Sequence, residues 1–460
     1  LLALLPAVAF AEPLDLAACV RRALAQNPAV QDAQDSATSA TLVREVALAD
    51  YNLKAVPSVD GGLMGSNETN QRYEMLFSRK LLATGTEVLL TGGTRVFSSV
   101  PQVSIPYLTE TRVGISQPLF QGRSRLENRE RIDDAERRIA ASEHALASAR
   151  EDLALQVVRG FYDVVGASEL VGVAGKSLER VEELGEIARA KLSLGSVSKM
   201  DVFRTDLHAA RIRNAVVQQT ARVDAGLDAL KMLLGIDPRV KLEIDARLQG
   251  PSAVDLAGED LVEKALERRH EVVEAREQVT DTERKLLLAR QRLWPAVSLA
   301  GFYARQGLGD TFDDSLVLDR DEWTIGLRST VPLDRTAERV ALAEAELDLR
   351  GKERQYRRVR DEVVREVRQA QRQLERAHAE LALAAEIADH AEQQAELARF
   401  RYEKGITNNF DLVQAEEQRT EAKSAYVLAA IEETLSAALV RRAAGALEDA
   451  FGGSGGARAE

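Results

Sequence analysis

Five histidines and one cysteine are the side chains with the readiest chemistry in this sequence of 460 residues, and their spacing gives them none to do. His144, His208, His270, His378 and His390 are scattered over helical patterns without the paired spacing of a zinc site. Cys19 has no catalytic neighbour in sequence, and as the only cysteine it excludes an intrachain disulfide. Neither a phosphate-binding glycine loop nor a dinucleotide fingerprint precedes a helical pattern, and Gly92-Gly93 falls inside a strand-like window. Four methionines in the whole chain argue against a methionine-based copper relay. No catalytic residue, cofactor site or metal site is therefore predicted, and the chain reads as a non-enzyme. The suggestive acids are Asp201 and Asp411, each just beyond a glycine-punctuated turn, where a helix N-terminus favours a carboxylate through its free N–H groups and dipole.

Those two aspartates belong to a duplicated segment. At a shift of about 210 residues, Arg189 to Asp201 falls on Arg399 to Asp411, and Gly235 falls on Gly445. Upstream, Ile115-Ser116-Gln117-Pro118-Leu119 matches Ser329-Thr330-Val331-Pro332-Leu333, and Ala23-Leu24 matches Ala265-Leu266. The chain thus says one thing twice, which calls for an architecture with internal symmetry.

Each copy opens with a short helical pattern (Leu16 to Gln26; Leu261 to Arg268) and a longer one (Ala29 to Tyr51; Val272 to Leu293). Asn27-Pro28 divides them in the first copy, because a residue before proline avoids helical angles. In the second copy two alternating segments follow, around Val297 to Ala304 and Trp323 to Arg328. Two-faced strands of this kind suit the crossing of an outer-membrane-type bilayer. The first copy has four such windows, Val56–Gly65, Tyr73–Arg79, Glu87–Phe97 and Thr109–Gln117, consistent with two spans or with an additional hairpin.

Then come very long helices. Ser124 and Glu127 have capping-box spacing, and the pattern runs without proline to Leu194, about 105 Å at 1.5 Å per residue. The second copy runs from Thr336 to Lys404. Ile132, Ile139, Leu146 and Leu153 recur every seven residues with Ala135, Ser142 and Ala149 between them. Val367, Leu374, Leu381, Ala388 and Ala395 do likewise, with Ala370, Ala377, Ala384, Ala391 and Ala398 interleaved. Such seams predict coiled coils, and the small residues suit a helix flanked on both sides, as in a barrel of helices. After Gly195 and Gly405 the chain reverses into Ser198–Leu234 and Asn408–Ala444, with Asp237–Gly258 a linker and a disordered tail from Gly452.

A net charge of −12 argues against nucleic acid as a partner. Leu1 to Ala11, apolar and ending Ala-Phe-Ala, reads as the back half of a secretory signal cleaved after Ala11. Leu16-Ala17-Ala18-Cys19 superficially resembles a lipoprotein box, but Glu12 and Asp15 interrupt the apolar run and Cys19 lies on the helical pattern Leu16, Val20, Ala23, Leu24. With no later apolar window of 18 residues, any membrane crossing must be made by strands. A few strands cannot close a barrel, and an open sheet edge in lipid leaves backbone groups unpaired, so several copies would have to pool their sheets.

The order of these pieces resembles the TolC-like outer-membrane efflux proteins, outer-membrane factors of tripartite efflux pumps and type I secretion. The resemblance covers about Leu14 to Leu447 and rests most on Leu14-Asp15-Leu16 through Ala25-Gln26-Asn27-Pro28, on Gly114 to Gly122, and on Arg401-Tyr402-Glu403-Lys404-Gly405 leading to Asp411. It implies a mainly α fold with a small β part. Long antiparallel coiled-coil helices would form a trimeric α-barrel continuous with a shared twelve-stranded transmembrane β-barrel, which asks four strands of each chain, two per copy. The copies would span 12–248 and 249–451, after a signal remnant at 1–11 and before a flexible tail at 452–460. The resemblance further implies a homotrimer in outer-membrane lipid, a periplasmic adaptor protein, and an inner-membrane pump of RND, ABC or MFS type. Drug, metal and protein cargo all fit it, and a non-channel periplasmic coiled-coil scaffold is the alternative. By position it makes Asp201, Asp411 and Tyr402 candidates for a periplasmic gate, and the turns at Gly195, Ser196, Gly405 and Thr407 candidates for adaptor contact. Thr407 stands where a basic latch residue is expected and Gln414 where a second acid is, so the gate departs from the prototype. Tyr51, Phe120 and Trp294 fit either membrane-interface aromatics or packing at the strand-to-helix junction, where Pro118 and Pro332 mark the bend.

Overall fold

In the computed structural model, residues 13–64, 68–98, 107–245, 260–447 and 451 are described. The signal-like run 1–11, the linker residues 246–258 and the tail 452–460 lie outside them. The elements follow in the order α1 Leu16–Gln26, α2 Pro28–Ala49, β1 Lys54–Met64, β2 Glu68–Lys80, β3 Glu87–Ser98, β4 Tyr107–Pro118, α3 Arg125–Ser193 and α4 Lys199–Leu233. The second copy gives α5 Asp260–Arg268, α6 His270–Gln291, β5 Ala296–Gly309, a short α7 Phe312–Ser315, β6 Arg320–Thr330, α8 Thr336–Glu403 and α9 Asn409–Ala443. Among the described residues no helix is long and apolar enough to cross a membrane.

The strands form one antiparallel six-stranded sheet in the order β1-β2-β3-β4-β5-β6. The first copy therefore supplies four strands and the second two. This corrects the expectation of two strands from each copy: the additional hairpin is present, because all four alternating windows of the first copy find a partner on each side or stand at an edge. Residues alternate between two faces along every strand. One face carries Val59, Tyr73, Leu90, Ile115, Trp323 and Ile325, all exposed. The other carries Asp60, Arg72, Glu74, Arg95, Glu110 and Arg112 in matching register. An apolar face left uncovered over this area is the opposite of a packed sheet.

The chain divides into two compact units, one drawn from Leu1–Gln34, His144–Val273 and Arg358–Glu460 and the other from Asp35–Glu143 and Glu274–Arg357. The second unit holds the sheet and its junctions with the helices. There Ser124 accepts from the Glu127 amide at 3.1 Å, and the Glu127 carboxylate accepts from the Gly122 amide at 2.8 Å, so the predicted cap reaches back past Ser124 to the turn before it. Tyr51 donates its hydroxyl to the Asn128 carbonyl and packs with Ala47, Ile132 and Ala135, which makes it a junction residue. Phe120 and Trp294 are about half exposed.

The first unit contains the main core, in which Cys19, Val20 and Ala23 of α1 pack with Leu153, Val157, Val158 and Phe161 of α3 and with Leu230 and Leu234 at the end of α4. Val427, Ile431 and Ala438 of α9 complete it. Cys19 is fully buried, and desolvation pushes its thiol up to about 12, so it is a core side chain. The linker's first residues belong to this core too: Leu242 is buried, and Leu14 bridges to Ile244 through bonds to Glu243 and Asp245. Of the two seams, that of α8 is the cleaner. Val363, Val367, Ala370, Ala377, Ala391 and Ala395 are buried, and the seam positions Leu374, Leu381, Ala384 and Ala388 between them are half-buried.

Leu230→Ala should lower unfolding stability by about 2–5 kcal/mol, because Leu230 is fully buried and its loss leaves a cavity. Denaturant unfolding in detergent measures it, and a change under about 1 kcal/mol would show that this region is loosely packed.

Candidate functional site: the paired helix-turn-helix ends

The site is built from four helix ends. α3 stops at Ser193, and Gly195 takes a left-handed φ of 71°, which lets its amide reach Leu192 at 2.9 Å while Ser196 reaches back to Lys191 at 2.9 Å. Gly405 repeats the geometry at φ 73°, bonding Tyr402 at 3.1 Å while Ile406 bonds Arg401 at 2.9 Å. Both are Schellman ends, which satisfy the last carbonyls of a helix and need a residue without a Cβ at the left-handed position.

The returning helices are capped at once. Ser198 accepts from the Asp201 amide at 3.3 Å, and the Asp201 carboxylate accepts from the Ser198 amide at 3.0 Å and its hydroxyl at 2.8 Å. In the second copy Asn408 accepts from the Asp411 amide at 3.0 Å, and Thr407 donates its hydroxyl to the Asp411 carboxylate. Asp201 therefore closes a capping box, whereas Asp411 sits in the first turn behind its Asn408 cap and receives the Thr407 hydroxyl. Asp411 and Gln414 are exposed, and the Asp201 side chain is 21% exposed. Thr407, which replaces the expected basic residue, spends its hydroxyl inside its own turn.

The two hairpins are held together by contacts that sequence reading did not find. Tyr402, 2% exposed, continues the buried α8 seam through Ala395 and Ala398 and packs with Leu184 and Leu412. Lys191 lies over its ring at 3.9 Å and donates to its carbonyl at 2.7 Å, so one ammonium holds the first-copy turn to the second. The Tyr402 hydroxyl has no hydrogen-bond partner among the described residues, and burial together with the nearby Asp201 charge raises its pKa. Asn409, 2% exposed, donates to the Asp201 carbonyl at 2.8 Å and to the Thr205 hydroxyl at 3.0 Å. Deeper along the seam, Glu416 is 1% exposed and accepts from Arg180 at 3.1 Å and from Arg419 at 3.5 Å, while Ser177 meets Thr420 at 2.7 Å. Glu416 had a legible signal, a charge at a seam position one residue from Ala415 and four from Leu412. Asn409 had none, since its partners are some 200 residues away. Two histidines distant in sequence, His144 and His270, face each other with Nδ1 atoms 3.4 Å apart.

With this geometry in view, the chain matches the outer membrane efflux protein family over residues 19–236 and 261–446. The chain belongs to that family. Among relatives, the cobalt-zinc-cadmium resistance protein CzcC of Cupriavidus metallidurans is 25% identical over 301 residues, 65% of this chain and 68% of that protein. The fusaric acid resistance protein FusA of Burkholderia cepacia is 25% identical over 213 residues, 44% of this chain and 38% of that protein. The solved outer membrane protein VceC of Vibrio cholerae has the same fold, with a TM-score of 0.71 at 17% identity, over 94% of this chain and 96% of that one. In this outer membrane efflux protein each matched half contains one of the two paired turns.

His208 supplies a pH prediction. It is 7% exposed with no partner for Nε2 among the described residues, and burial lowers its pKa below 6.5; Glu417 and Glu416 pull it back up, and Arg211 adds to the lowering. The unfolded chain then binds a proton that the folded chain resists, so stability of the α4–α9 end falls as pH drops from about 6.5 toward the lowered value. Hydrogen exchange at the starts of α4 and α9 should speed up below pH ~6.5 in the natural chain and lose that dependence in His208→Leu. An unchanged profile would remove His208 as the cause.

Proposed function

We propose that three copies of this chain form a passive exit duct across the outer membrane, its sheets pooled into one β-barrel and its long helices into a periplasmic α-barrel. The observation that carries this reading is the sheet with one exposed apolar face and one charged face. Trp323, Ile325 and Leu327 are 68%, 71% and 71% exposed, which suits lipid outside and water inside. A scaffold with a small packed sheet would bury such residues, so the channel reading is the better supported. Among the described residues the edges β1 and β6 have no partner strand, and in hydrocarbon each unpaired backbone group costs several kcal/mol, so further copies would supply the partners. Trp294 and Phe120 would then sit at the periplasmic interface of the bilayer.

In the same reading the paired turns are the periplasmic tip. Energy would come from an inner-membrane pump of RND, ABC or MFS type through a periplasmic adaptor, in efflux or type I secretion, with no chemistry in the duct itself. Gly195, Ser196, Gly405 and Thr407 would meet the adaptor, flanked by Leu194 and Ile406, which are 79% and 71% exposed. Asp201 and Asp411 would line the aperture, with Tyr402 and its Lys191 clasp holding the closed arrangement. Opening would then separate the two hairpins by exchanging these contacts for others of similar energy.

Extracted with detergent, the protein should be trimeric and conduct ions in planar bilayers; a monomer that does not conduct overturns the reading. Asp201→Asn and Asp411→Asn keep most of the capping geometry while removing the charge. They should reduce cation preference in single-channel recordings severalfold, with a stability loss of only about 1 kcal/mol. Unchanged selectivity would confine both acids to capping. Because Cys19 is buried, Ser196→Cys and Thr407→Cys give single reactive thiols for crosslinking the adaptor.

A further inference from the structure

The first copy carries one up-and-down strand pair more than two strands per copy require, and the hairpin β2–β3 continues the sheet without a break. β2 pairs with β1 from Lys54↔Ser78 to Met64↔Glu68, and with β3 from Thr69↔Ser98 to Lys80↔Glu87. β3 then pairs with β4 from Glu87↔Ser116 to Val96↔Tyr107. Each register is continuous, with no slipped residue. Strands of 13 and 12 residues match the length of the other four.

The faces agree as well. The register puts Tyr73, Met75, Phe77, Val88 and Leu90 on the same side as Val113, Ile115, Leu299 and Tyr303. Leu53, Phe77, Val88 and Leu90 line one continuous apolar depression on that side. On the other side Arg72, Glu74, Thr91 and Arg95 join Glu110 and Arg112 around a polar hollow. A hairpin folded into a lumen as a plug, or out into water, has no use for an apolar side in phase with its neighbours, since a one-residue slip would reverse it.

Resting on the trimeric duct reading, we propose that β2–β3 is part of the membrane wall, so that each chain supplies six strands and three copies close an eighteen-stranded barrel. The closing contact is between β1 of one copy and β6 of the next. The alternation of directions makes these edges antiparallel, and each is 11 residues long. Pro57 lacks a donor and removes at most one rung, which a strand edge tolerates. Because diameter grows about linearly with strand number, the barrel is about half as wide again as a twelve-stranded one, wide enough for an aqueous channel lined by Arg72, Glu74 and Arg95. Bulky hydrated solutes are the class of cargo such a wall admits.

Electron cryo-microscopy of the full chain in lipid nanodiscs should count eighteen strands around a threefold axis. A trimer with twelve strands and β2–β3 outside the wall overturns this inference and leaves the duct standing; two copies closing twelve strands, or a monomer, overturns both. Thiol labelling gives an independent reading. A fluorophore on Met75→Cys or Leu90→Cys should be quenched by brominated lipid as strongly as one on Leu299→Cys, and severalfold more than one on Thr91→Cys. Lipid quenching at Leu299→Cys alone would place the hairpin outside the wall and end the proposal.

Discussion

Every backbone amide and carbonyl must find a partner, and in this chain that requirement does most of the organising. At helix ends it selects the repeated solution of glycine in a left-handed conformation followed by a Ser or Asn cap, and it does so at both turns of the tip. In the sheet it joins strands from both copies into one ladder. There β4, from the first copy, pairs with β5, from the second, over Tyr107↔Gly309 to Pro118↔Ser298. Among the described residues the ladder ends at β1 and β6, whose outer edges have no partner strand.

The tip is stabilised differently from the core. The core is apolar, closed around Cys19, Val157, Leu230 and Leu234, and has little reason to change. The tip depends on a few buried polar contacts, Lys191 to Tyr402, Asn409 to Asp201 and Thr205, and Arg180 to Glu416. Polar atoms of Tyr402, His208 and Asn409 there have no partner among the described residues. Buried charges such as Glu416 add little net stability against an apolar alternative but penalise any arrangement that leaves them unpaired. Incompletely satisfied groups lower the cost of rearrangement at this end relative to the core. A region of that kind is suited to two arrangements of similar energy, where the core is suited to one.

Much of the fold was legible because period and punctuation are local. The α8 seam, the ends of α1 and α5, and the cap at Ser198–Asp201 all follow from spacing within a few turns of chain. The second-copy hairpin was clear for the same reason. The first-copy windows were visible individually, yet their number left two spans or an extra hairpin open, since strand pairing is a long-range choice that short windows do not encode. Of the candidate site, the turns and their acids could be read from the duplication. Lys191, Asn409, Thr205 and the meeting of His144 with His270 could not, because each contact joins residues far apart in sequence.

By itself, then, the sequence determined the duplication, the long helices with their seams, the glycine turns and the two-faced character of the strands, all of which are repeated local patterns acting through period and backbone geometry. Tertiary structure alone decided that six strands share one ladder, that Asn409 reaches across to Asp201 and Thr205, and that an ammonium from one repeat clasps a tyrosine of the other. Those outcomes depend on which distant surfaces meet, and the free energy that selects them, burial and pairing of groups some two hundred residues apart, exists only once the chain has folded.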